Sequence, residues 1–165
     1  MIKKLLLLVA VCFVTMGASA QFQKGKGYIG ASLSGLNLHY SGDDKFNIGV
    51  QAQGGYFAWD NLMLLGFVSF EHNGNHDVAD NYAVGVGGRY YIDQNGLFLG
   101  LNTKLVHNDH SHNDLMPGVE AGYAFYINRS VTIEPSIYYD QSFSSHSKYS
   151  TIGLRVGVGV YLFDD

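Results

Sequence analysis

Seven histidines stand among 165 residues, and five of them fall into two short polar stretches. These are His72-Asn-Gly-Asn-His76 and His107-Asn-Asp-His110-Ser-His112, with Asp77, Asp80, Asp109 and Asp114 nearby. Neutral imidazole is a common ligand for zinc, copper or nickel, and its protonation at about pH 6 changes the repulsion between neighbouring loops. His72, His76, His107, His110 and His112 are thus metal-ligand candidates by proximity. Their spacing fits no fixed metal motif, and polar loops carry such residues without any ligand. The block His110-Ser111-His112 and the block Ser145-His146-Ser147 also hold the groups that nucleophilic catalysis uses. Neither is followed by an acid placed to orient the base, so an enzyme is not expected. Gly85-Val86-Gly87-Gly88 is glycine-rich, but no helix follows it, which removes a phosphate-cradling loop.

A second set of ionisable residues behaves differently. Glu71, Arg89, Lys104, Glu120, Glu134, Asp140 and Arg155 each interrupt a stretch that alternates with period two. In Ile152–Leu162 the even positions are Ile, Leu, Val, Val, Val and Leu, while the odd ones are Gly, Arg, Gly, Gly and Tyr. That alternation describes a strand with two unlike faces. It recurs in Phe46–Tyr56, Tyr82–Ile92, Leu97–Leu105, Val119–Ile127 and Val131–Phe143. Leu62–Glu71 is apolar on both faces at its start. Tyr28–Tyr40 changes phase near Gly35-Leu36, which predicts a bulge.

Eight strands of roughly ten to thirteen residues result, longer than the five or six usual in soluble sheets and close to the 9–11 that cross a bilayer. Short turns at Ala58–Asn61, Asp93–Gly96 and Asn128–Ser130 alternate with longer polar connections. Within lipid every backbone N–H and C=O needs a partner in the protein, so the sheet must close on itself. Tyr28–Tyr40 is therefore expected beside Ile152–Phe163. The aliphatic face suits lipid, and the glycine-rich polar face suits a narrow lumen. Tyr56, Trp59 and Tyr90 fall toward one interface, and Tyr40, Phe46, Tyr82 and Phe143 toward the other. Charges in a confined lumen are costly unless paired. Contacts Glu120–Arg155 and Arg89–Glu134 are predicted, with Glu71, Lys104 and Asp140 lying nearer the outside.

The first twenty residues read as an address. Lys3 and Lys4 precede the apolar core Leu5–Val14, and Ala18-Ser19-Ala20 offers small residues for cleavage. This pattern is a secretory signal peptide over 1–20, with one domain over 21–165. The lone Cys12 lies within it, leaving no cysteine in the mature chain. Removing Lys3 and Lys4 from 10 basic residues leaves 8 against 14 acidic ones, a formal charge of −6. That acidic balance argues against nucleic acid as a partner.

The leader, the eight alternating segments and the closing Val156-Gly-Val-Gly-Val-Tyr-Leu-Phe163 resemble the small eight-stranded outer-membrane barrels of Gram-negative bacteria, of the outer membrane protein A and X type. The resemblance spans the whole mature chain. It implies an all-β, antiparallel, up-and-down transmembrane barrel in the outer membrane, monomeric and without a cofactor. It implies contact with outer-membrane lipids and lipopolysaccharide, and with the barrel-assembly machinery and periplasmic chaperones during biogenesis. One departure is expected to make the assembly signal atypical: Asp164 and Asp165 follow the terminal aromatic. The expected role is envelope structure or surface interaction through short loops around a plugged lumen. A narrow pore or small-solute transporter, and a lipid A-modifying enzyme, are the alternatives.

Overall fold

The computed structural model describes residues 22–37, 47–73, 81–92, 95–108, 112–143 and 151–162, with no description of the side chains at 35–37, 47, 48, 72, 73, 81, 108, 112 and 113. The segment read as a signal peptide lies outside these residues. The strands are β1 (Gly27–Asn37), β2 (Asn47–Trp59), β3 (Leu62–Asn73), β4 (Asn81–Tyr91), β5 (Leu97–Asn108), β6 (His112–Tyr123), β7 (Phe125–Tyr126), β8 (Val131–Asp140) and β9 (Thr151–Leu162). All pairings are antiparallel between chain neighbours, apart from β1 with β9, and β6 and β7 both pair with β8. The sheet closes into a barrel of eight staves, with β6 and β7 forming one stave broken at Ala124.

The expected closing pair is present. Tyr28 stands opposite Tyr161 and Leu33 opposite Val156, and the register slips between Ser34 and Leu36 at the phase change. The turns follow local chemistry. Asn61 adopts φ 65° between β2 and β3, and Gly96 adopts φ 91° before β5. Asn128 Oδ1 accepts from the N–H groups of Ser130 and Val131 at 2.9 and 2.8 Å, closing the β7–β8 hairpin.

Orientation follows the pattern. Val156, Val158 and Val160 point away from the axis, and Val86 and Leu101 are 63% and 70% exposed. These residues form part of a belt of aliphatic side chains on the outer wall. Tyr56, Trp59 and Tyr90 are exposed toward the turn end, and Tyr82 and Phe143 toward the loop end. A barrel with a mainly aliphatic outer waist, ringed by aromatics, is built for hydrocarbon.

The lumen is more aromatic than the expected glycine-rich polar lining. Its turn-end half is aromatic: Tyr28, Phe57, Tyr91, Phe98, Tyr126 and Tyr161 are buried there with Met63 and Leu65. The inward glycines make room for these rings. A Cβ on Gly122 would stand 2.5 Å from Phe98, and one on Gly159 would stand 2.6 Å from both Tyr28 and Glu134.

A buried ion-pair layer as the candidate functional site

Four staves deliver the central charges. Arg89 comes from β4, Glu120 from β6, Glu134 from β8 and Arg155 from β9, each on an inward position of its alternating strand. The Arg89 guanidinium bridges the two carboxylates. Its Nε donates to Glu120 Oε1 at 2.5 Å and its Nη1 to Glu134 Oε2 at 2.8 Å. Arg155 Nη1 reaches Glu120 Oε2 at 3.4 Å. Both arginines also lie over rings, Arg89 over Phe98 and Arg155 over Tyr138, each 4.4 Å from the centroid. Such faces attract a desolvated cation.

Glu134 is 2% exposed and takes four donors. Besides Arg89, Tyr28 donates to Oε2 at 2.7 Å, and Thr132 and Tyr161 donate to Oε1 at 2.8 and 3.1 Å. Gln53 Nε2 extends the network to Tyr28 at 2.8 Å, and Gln51 to Gln53 at 3.2 Å. A buried carboxylate is tolerated when its lone pairs are filled in this way. Nearer the loop end, Lys104 Nζ binds Asp140 Oδ2 at 2.7 Å. Glu71 stands half-buried at that end of β3, opposite Gly49. The structure thus joins Glu120 with Arg155 and Arg89 with Glu134. It adds two ion pairs that strand alternation alone had not named, Arg89–Glu120 and Lys104–Asp140.

Between these layers lies a cavity of about 10 Å³ lined by Gln51, Gln53, Asn102, Lys104, Glu120 and Arg155 among others. That is the room of about one water.

Below the ion pairs, at the turn end, stands a residue that sequence reasoning missed. Phe22 precedes β1 and is fully buried, stacked on Tyr91 at 4.0 Å between ring centroids and 16° between planes. Tyr161, Tyr126 and Phe57 surround it at 5.8–6.0 Å. The arm is pinned by backbone bonds. Asn61 N donates to the Phe22 carbonyl at 2.7 Å, and Gly25 N to the Phe57 carbonyl at 2.9 Å, with Gly25 at φ 93° turning the chain back. The sequence signal was an aromatic just beyond the proposed cleavage point, followed by Gly25.

The histidine candidates are not gathered by the described structure. His107 is exposed on β5, His72 and His112 lie near the loop ends of β3 and β6, and His76 and His110 lie outside the described residues. Among the described residues no group of three metal ligands forms. The two Ser-His blocks also extend outside the described residues.

No family model matches the sequence, and no curated protein matches it. Solved structures do match in fold. Neisserial surface protein A is similar with a TM-score of 0.61 and 18% identity, over 83% of this chain and 99% of that one. The N-terminal β-barrel domain of Pseudomonas aeruginosa OprF gives 0.60 and 17%, over 84% and 98%. The chain has the fold of a small outer-membrane β-barrel. The outer membrane protein Ail of Yersinia pestis, determined in a phospholipid bilayer nanodisc, is a further neighbour at 0.52 and 15%, over 84% and 100%. Outer-membrane residence goes with this fold and with the aliphatic belt on its wall.

Proposed function

We propose that this barrel is a closed structural element of the envelope that presents its outer loops to surface partners. The observation that carries the reading is the Arg89 bridge. One guanidinium joins carboxylates from β6 and β8 across the lumen, with Phe22 sealing the mouth beneath it. A layer of paired charges in so narrow a barrel ties the staves together and leaves no continuous water path. The runner-up, a narrow pore, needs that layer to part. A lipid A-modifying enzyme needs a nucleophile, base and acid at the outer rim, and no observation favours it.

On this reading the barrel is monomeric, has no cofactor, and touches outer-membrane lipid and lipopolysaccharide. It reaches the membrane through a cleaved leader, periplasmic chaperones and the barrel-assembly machinery. The test is a planar-bilayer recording on purified protein. The closed reading expects no stable conductance above the bare membrane, and a steady single-channel current would replace it with the pore.

A further inference from the structure

The chain has two prolines, Pro117 on β6 and Pro135 on β8. Both face the same seam. Gln141 N donates to the Pro117 carbonyl at 2.8 Å, and Ile127 N to the Val131 carbonyl at 2.8 Å. Both bonds belong to the register in which Gly118 meets Asp140 and Phe125 meets Ile133. Along an antiparallel ladder, hydrogen-bonded pairs alternate with non-bonded ones. Stepping two residues at a time from either bond arrives at Tyr123 opposite Pro135. That is a hydrogen-bonded position, so the N–H that Pro135 lacks would have crossed this seam. Pro117 occupies such a position as well.

On their other sides the prolines do no harm. Pro117 meets Thr103 and Pro135 meets Val156 within ladders of 12 and 10 consecutive pairs. Across the proline seam the ladder is split into five pairs and two, with the break beside Pro135. The β3–β4 seam, by contrast, runs through 10 pairs without interruption. On the outer wall an apolar groove of about 710 Å³ passes over the weakened seam, lined there by Val119, Ala121, Ile137 and Tyr139.

We propose that the β6–β8 seam is a lateral gate, the line along which the wall parts toward the bilayer while the other seams stay paired. What meets the opening is acyl chain, because the groove over it lies in the aliphatic belt. Arg89 spans the same two staves from inside through Glu120 and Glu134, so it acts as the latch.

Hydrogen exchange on the full barrel in phospholipid nanodiscs tests this. The amides that point across this seam, those of 119, 121, 123, 125, 133, 137 and 139, should exchange at least about tenfold faster than those of 63, 65, 67, 69, 83, 85, 87 and 89, which point across the β3–β4 seam. Replacing both prolines, P117V with P135V, restores two donors, each slowing the seam roughly fivefold and leaving β3–β4 unchanged. Equal protection on the two seams overturns the gate. So does fast exchange confined to the proline-flanking residues with Val119 and Ala121 still slow, since that is fraying. A disulfide in V119C/Y139C joins a hydrogen-bonded pair at a reachable separation, and it should abolish the fast exchange across the whole seam. Unchanged exchange in the cross-linked barrel also refutes the proposal.

Discussion

Replacing Arg89 by alanine removes a guanidinium that bonds both Glu120 and Glu134. The two carboxylates do not suffer equally. Glu134 keeps three hydroxyl donors, from Tyr28, Thr132 and Tyr161. Glu120 keeps, among the described residues, the weaker contact with Arg155 at 3.4 Å. Breaking a buried pair from one side costs about 3–5 kcal/mol, because the remaining charge is left unpaired. The retained donors put R89A near the lower end, about 3 kcal/mol, which is roughly a hundredfold in the folding equilibrium. Urea unfolding from lipid vesicles can report it through Trp59, the chain's single tryptophan, which sits in the exposed aromatic ring at the turn end. A fourfold variant, R89M with E120Q, E134Q and R155M, removes the charges of the layer together and should recover most of the loss. A loss below about 1 kcal/mol in R89A, with the fold intact by circular dichroism, would show that the bridge does not hold the staves and would refute the reasoning.

Three further outcomes follow from the same geometry. Gly159→Ala places a methyl 2.6 Å from Tyr28 and Glu134, so it should destabilise the barrel by about 1–3 kcal/mol in the same urea assay, while Gly66→Ala, with open space around it, should be near neutral. Phe22→Ala should release the arm, making the Gln23–Lys26 segment a new site of limited proteolysis while β3 and β4 stay protected. Val86→Arg, halfway along β4 on the outer wall, should cost about 2–4 kcal/mol in vesicles, the range found for cations at the bilayer midplane.

Much of this architecture was legible because the side-chain period of a strand is two and a membrane wall has unlike sides. Val156, Val158 and Val160 told the outer face, and Arg155 told the inner one. The phase change at Gly35 marked the bulge. Pairing partners across the lumen were harder to read. Depth along each strand places Arg89 near Glu134, but strand tilt brings it equally near Glu120, and alternation carries no information on tilt. The aromatic floor escaped for a related reason. Tyr28, Phe57, Tyr91 and Tyr161 are apolar enough to suit either face, and only closure showed that opposing glycines admit their rings. Phe22 escaped because it lies outside any strand. The break at Ala124 was written in Pro135, but its side of the seam depends on which pairs are hydrogen-bonded.

The central claim is that the aliphatic face meets hydrocarbon. It is tested most directly by tryptophan quenching with brominated acyl chains, in a background where Trp59 is phenylalanine. A tryptophan at Val86 should be quenched strongly, and most by bromines near the bilayer centre, while one at Phe98 in the lumen should be quenched little. Quenching of the Val86 tryptophan by aqueous iodide and not by the brominated lipid would contradict the account.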